Sequence, residues 1–112
     1  MNYSIIPTAN FIREAKKLSK KHHSIKNDLL KLRTLLESDP FQGVALSDSL
    51  FKIRMAITSK GKGKAGGARI ISYVFVTEKQ AFLISIYDKS RKENVTDEEI
   101  RTFLRQLPFK VE

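Results

Sequence analysis

The chain of 112 residues contains no cysteine. That removes disulfide frameworks, thiolate zinc sites, iron–sulfur clusters and cysteine nucleophiles together. It also fits a reducing compartment. Histidine is scarce. Only His22 and His23 occur, side by side at an expected joint between two helices, where they read as exposed loop residues. Without cysteine or further histidines no metal site is expected, and no cofactor. The acidic residues scatter and offer no paired-carboxylate spacing. No apolar run approaches the roughly 18 residues that a membrane span needs. Met1-Asn2-Tyr3-Ser4-Ile5-Ile6-Pro7 lacks the basic and long apolar regions of a signal peptide. The expectation is a soluble, cytoplasmic protein with no membrane partner.

Positive charge is abundant. Twenty-one Lys and Arg stand against twelve Asp and Glu, a formal net charge of +9. Such an excess points to a polyanionic partner. The length suits one domain, residues 1–112, large enough to bury about 60–70% of the unfolded chain's surface.

Hydrophobic periodicity places the elements. Tyr3 to Thr8 is short and β-prone, an expected edge strand. Thr8 or Asn10 can cap a helix carrying Phe11, Ala15 and Leu18 at helical spacing. Ser24 can cap a second, with Ile25, Leu29, Leu32 and Leu36 as its stripe. So short a joint makes the pair an antiparallel helical hairpin. From Leu50 the period becomes two: Phe51, Ile53, Met55 and Ile57 alternate with Lys52, Arg54 and Ala56. Arg69 to Val76 reads as a central strand and Ala81 to Tyr87 as the next, joined tightly through 77–80. Thr96 and Glu99 spell a capping box for a last helix with Ile100, Phe103, Leu104 and Leu107 inward, stopped by Pro108. The expected fold is α+β, order β-α-α-β-β-β-α, with the helical hairpin packed on an antiparallel sheet.

Strand parity then sorts the side chains. Phe51/Ile53/Met55, Ile70/Val74/Val76 and Phe82/Ile84/Ile86 form one apolar face for the helical hairpin. Lys52, Arg54, Arg69, Tyr73, Ser85, Tyr87 and Lys89 fall on the other, an open basic and phenolic surface. A one-residue bulge would break this assignment.

Gly61-Lys62-Gly63-Lys64-Ala65-Gly66 matches G-x-G-x-x-G literally. A β-run follows it rather than a helix, so the dinucleotide reading fails, and no Gly-Lys-Ser/Thr closes a P-loop. It reads as a flexible basic loop whose N–H groups and lysines can follow a phosphate chain. From Ser49 to Thr77 there are six basic residues and no acid: Lys52, Arg54, Lys60, Lys62, Lys64 and Arg69. A solvated face is the ordinary fate of a charge run, but here repulsion goes uncompensated over the whole stretch, and phosphate binding is the better reading.

Metal-free RNA cleavage needs a proton acceptor near the ribose 2′-OH, a donor near the 5′-oxygen, and positive charge at the phosphorane. Only Lys, Arg and Tyr are on offer for these roles. Lysine among other cations can act as a base, arginine stays charged at the phosphate, and Tyr87 can orient a nucleotide by stacking or by its hydroxyl.

Two segments carry a family resemblance. Residues 61–73, GKGKAGGARIISY, resemble the G-K-(S/A)-G-G-A-R-(V/I)-I-x-Y signature of RelE/HigB-like toxins. Residues 83–96, LISIYDKSRKENVT, resemble the family's L-x-x-x-Y-x-K-x-x-K-(E/D)-x-(L/V)-T segment, and Leu50-Phe51-Lys52-Ile53-Arg54 fits its basic strand. The match covers about residues 48 to 107. The resemblance implies the toxin of a type II toxin–antitoxin system. It implies a ribosome-dependent mRNA endonuclease that cuts translated mRNA in the ribosomal A site and is neutralised by an antitoxin with a helix-turn-helix domain. Carried over, Lys52, Arg54, Arg69, Tyr87 and Lys89 are the expected catalytic residues. Lys60, Lys62, Lys64, Tyr73 and Arg91 are the expected RNA-binding ones. Some members place a histidine or a C-terminal tyrosine at the site, and this sequence has neither after Tyr87. The alternatives are a gyrase inhibitor of the ParE type and a non-catalytic RNA-binding domain.

Overall fold

A computed structural model describes residues 2–111. The elements are β1 (Ser4–Pro7), α1 (Ala9–Lys21), α2 (Ile25–Ser38), β2 (Val44–Ala45), β3 (Leu50–Met55), β4 (Ala68–Phe75), β5 (Gln80–Asp88) and α3 (Asp97–Leu104), with a 3-10 turn at Thr58–Lys60. One sheet holds all five strands in the order β1-β5-β4-β3-β2. The expected order is present, with the two-residue β2 added ahead of β3. Strands β2 to β5 pair antiparallel. The edge strand β1 joins β5 in parallel, so the sheet is mixed.

The helical stripes behave as their spacing requires. Phe11, Ile25, Leu32 and Leu36 are buried with Ile53, Met55, Ile70 and Ile86, and Ala15, Leu18 and Leu29 pack against them. Thr8 caps α1, its hydroxyl accepting the Phe11 N–H. Asn10 is buried inside the first turn and donates to the Ile84 carbonyl. Ser24 makes no side-chain cap for α2; its hydroxyl donates to Asp28 and accepts the Ser59 N–H. Thr96 and Glu99 form the expected capping box. Helix α3 stops at Leu104, and Leu107 is buried in the turn that follows, ahead of Pro108.

The parity assignment fails on β5. Its register against β4 shifts between Ile71 and Ser72, so that Ile71 faces Ser85 while Ser72 faces Leu83. The extra residue turns part of the strand over. Phe82 and Ile84, expected under the helical hairpin, pack instead with Leu50, Ile71, Ile100, Phe103 and Phe109 on the opposite face. Ser85, expected on that opposite face, bonds Glu14 of α1. Val76 lies beyond β4 and is exposed. The second face is therefore not one open surface. Helix α3 and Phe109 roof its middle, and only the end carrying Arg54, Arg69 and Tyr87 stays basic.

His22 also departs from expectation. It is half-buried, with Nε2 3.3 Å from Asp88 Oδ2. Asp88 Oδ1 accepts from Lys60 Nζ at 3.0 Å and from Ser90. Asp28 accepts from Ser24 and from the backbone and hydroxyl of Thr58. These two carboxylates fasten the turn of the helical hairpin to the 58–60 turn and so fix where the basic loop begins.

Candidate nucleic-acid interface

Register brings Arg54, Arg69 and Tyr87 into one row across three strands, because Arg54 pairs with Arg69 and Arg69 with Tyr87. Alternation then sends all three side chains to the same face. Arg54 is exposed. Arg69 is 3% exposed, and its guanidinium donates to the carbonyls of Lys64 (2.9 Å), Ala68 (3.1 Å) and Ala65 (3.3 Å). It thereby ties the glycine-lysine loop down onto the sheet. The loop expected to be flexible has two of its carbonyls, those of Lys64 and Ala65, held by one side chain. Burial, with the charge of Arg54 beside it, lowers the Arg69 pKa, and Tyr87 opposes the shift.

Tyr87 is 7% exposed, and its hydroxyl is buried with no hydrogen-bond partner. Burial raises its pKa; Arg69 works against that shift and Glu99 adds to it. The phenol is thus held protonated, a donor rather than a base. The Lys92 ammonium lies 5.8 Å from the centre of its ring. Lys92 also pairs with Glu99 of α3, whose carboxyl is held below its ordinary range first by that hydrogen bond. A bridge of Lys92 and Glu99 therefore borders Tyr87 on the α3 side.

The remaining expected residues divide. Lys52 is half-buried two residues along β3 from Arg54, its Nζ 3.2 Å from Asn94 Oδ1. Lys62 and Lys64 are exposed on the loop that Arg69 holds, and Arg91 is exposed beyond β5. Lys89 is half-buried, and its backbone N–H donates to the Gly67 carbonyl. Lys60 is only 13% exposed and is turned to Asp88. Tyr73 stands away from the row, its ring 5.6 Å from Phe109 in the cluster that includes α3. Lys92, Glu99 and Asn94 come to this surface without having been singled out. Lys92 and Asn94 lie inside the second family segment, and Glu99 is legible as a cap, but only the fold turns them toward Tyr87 and Lys52. Among the described residues, no group of three or more His, Asp and Glu could hold a metal ion, and no helix is long and apolar enough to cross a membrane.

The arrangement can bind a phosphate between Arg54 and the loop lysines, with a buried phenol O–H beside it as a fixed donor. No family model matches the sequence. Solved structures do match the fold. A double mutant of E. coli RelE in the free state superposes with a TM-score of 0.59 at 18% identity, over 83% of this chain and 90% of that one. RelE in an archaeal RelE–RelB complex from Pyrococcus horikoshii gives 0.55 at 18% identity, over 81% and 99%. The isolated E. coli RelE toxin gives 0.54 at 19% identity, over 94% and 99%. With its helical hairpin on one face of the sheet and its basic row on the other, this chain has the RelE-like toxin fold.

Proposed function

We propose that this protein is the toxin of a toxin–antitoxin pair, a metal-independent endoribonuclease that cuts mRNA on the ribosome and so halts translation. The observation that carries the reading is the Arg54–Arg69–Tyr87 row with its orphaned buried hydroxyl. A buried donor without a partner is rare, and it costs least where a ligand oxygen completes it. The RelE-like fold agrees with the reading, as does the net charge of +9. One of the similar structures is a RelE–RelB complex, and a protein antitoxin, with a helix-turn-helix domain of its own, is the corresponding partner here. Both target and partner place the protein in the cytoplasm.

In this reading Arg54 meets the scissile phosphate directly. Arg69 adds charge from below while it holds the loop that carries Lys62 and Lys64. Tyr87, kept protonated because burial raises its pKa, donates its O–H to a phosphate oxygen or to the leaving 5′-oxygen. Lys52 and Lys89 flank the row and are the amines available as proton acceptor. Lys60 belongs to the Asp88 junction rather than to the RNA, and Tyr73 to the packing beneath α3.

An in vitro translation reaction read by primer extension tests this. The purified protein should leave codon-positioned cuts, and Arg54→Ala should lower cutting about 10²- to 10³-fold, the scale for losing one charge-stabilising donor. DNA breaks trapped on gyrase would favour the ParE-type reading instead. Ribosome binding without cuts would leave only an RNA-binding domain.

A further inference from the structure

Strand β2 is two residues long and pairs only with Phe51 and Lys52. Beyond Lys52, β3 has no strand on that side among the described residues. A cleft of about 460 Å³ opens there between β3 and α2. Its apolar walls include Leu32, Leu35 and Val44, and four cations line it: Lys31, Lys52, Arg54 and Lys64. The one acid in its lining is Asp28, whose two oxygens are already taken by Ser24 and Thr58. Gly43 closes one end. A Cβ there would stand 2.1 Å from the Lys52 carbonyl oxygen, and its φ of +88° is left-handed, so only glycine lets the chain pass this close.

Three of the four cations, Lys52, Arg54 and Lys64, also belong to the proposed cutting surface. The cleft shares these residues with that surface at the edge of β3 that β2 leaves unpaired. Apolar walls with a few placed charges are what a small planar ligand needs. The cations suit the phosphate of that same ligand, and no free carboxylate opposes it.

We propose that this cleft is a second nucleotide subsite, taking one base and its phosphate from the single strand that lies across the Arg54–Arg69–Tyr87 row. The inference rests on the RNA-cutting reading and extends it. The base lies against Leu32, Leu35 and Val44, and the phosphate bridges Lys31 and Arg54. Lys31 is then an RNA-binding residue although it belongs to the helical hairpin.

The test uses the full chain and a fluorescently labelled uridine octamer. Lys31→Ala should reduce the slope of log affinity against log salt by about 0.7, the loss of one phosphate contact on a single strand. Leu35 is 48% exposed, so Leu35→Asp spares the core, and it should weaken octamer binding about tenfold, the low end of what one seated base contributes. A uridine dinucleotide, too short to span both places, should bind wild type and Leu35→Asp alike. A photoreactive 4-thiouridine walked along the octamer should cross-link to α2 from one position only. Unchanged octamer affinity and slope in both variants would overturn the proposal, as would octamer binding kept while a polyglutamate peptide loses its hold, since the cleft would then suit an acidic protein segment. Cutting on ribosomes is read separately. Its absence beside a Lys31-dependent slope would remove the function and leave the subsite standing. Normal cutting with no effect of Lys31 or Leu35 would do the reverse.

Discussion

A buried hydroxyl with no partner costs a folded protein about 1–3 kcal/mol, and Tyr87 carries one. If that hydroxyl serves the fold, removing it destabilises the protein. If it serves RNA, Tyr87→Phe should leave the melting temperature unchanged or slightly raised while cutting falls about a hundredfold, within the range for a lost proton donor. Thermal unfolding beside a cleavage assay separates the cases, and a fall in both would assign the hydroxyl to the fold. Arg69 should behave differently. Its guanidinium holds the carbonyls of Lys64, Ala65 and Ala68, so Arg69→Ala should lower stability and cutting together. Arg54, exposed and across the ladder from it, should lower cutting alone. Two arginines side by side in the register thus divide into a structural clamp that also supplies charge and a free phosphate contact. Were Arg54→Ala to melt the protein as early as Arg69→Ala, that division would be wrong.

Among the elements, the joint between the helical hairpin and the 58–60 turn sets where the basic loop starts. Asp88 is its centre. Burial raises its pKa, but hydrogen bonds from Lys60 and Ser90 outweigh burial and hold it at about 2. A carboxyl depressed in the folded state stabilises above its unfolded pKa, and that contribution is lost as pH falls through the folded value. Chemical unfolding at stepped pH should therefore show wild type losing about 2 kcal/mol between about pH 4 and pH 2 that Asp88→Asn does not lose, at 1.36 kcal/mol per pKa unit. Parallel curves for the two proteins would remove Asp88 from this role. Gly67 makes the neighbouring joint. A Cβ on it would meet the Met55 carbonyl oxygen at 2.1 Å, so Gly67→Ala should push β3 and the loop apart and lower the melting temperature.

These elements also show what periodicity can and cannot carry. The stripes of α1 and α2, the Thr96 cap and the alternation of β3 were legible because each is a local repeat that one face of the sheet rewards. The bulge on β5 was not. An inserted residue leaves no mark in a run as uniformly apolar as Ala81 to Ile84, and Phe82 and Ile84 were placed on the wrong face for that reason. The Arg54–Arg69–Tyr87 row was legible because it lies on the unshifted side of that bulge. The contact of His22 with Asp88, 66 residues apart, has no local signature at all. Nor did the charge run show that Lys60 is spent on a buried carboxylate while Lys62 and Lys64 are exposed.

For the whole molecule, charge decides how it meets its partner. If four or five of the exposed cations touch phosphates, binding to single-stranded RNA should follow salt with a log–log slope of about −3 to −3.5, at about 0.7 per contact. Lys60→Ala should leave that slope unchanged and lower stability, because Lys60 is paired with Asp88. The central claim, that this basic row cuts mRNA on ribosomes, meets its most direct test in primer extension on a translated message with three purified proteins: wild type, Arg54→Ala and Lys17→Ala. Lys17 is exposed on α1 and controls for loss of one charge. Wild type and Lys17→Ala should give the same codon-positioned cuts, and Arg54→Ala should give about a hundredth as many or fewer. Equal cutting by all three, or ribosome-bound wild type with no cuts at all, would contradict the account.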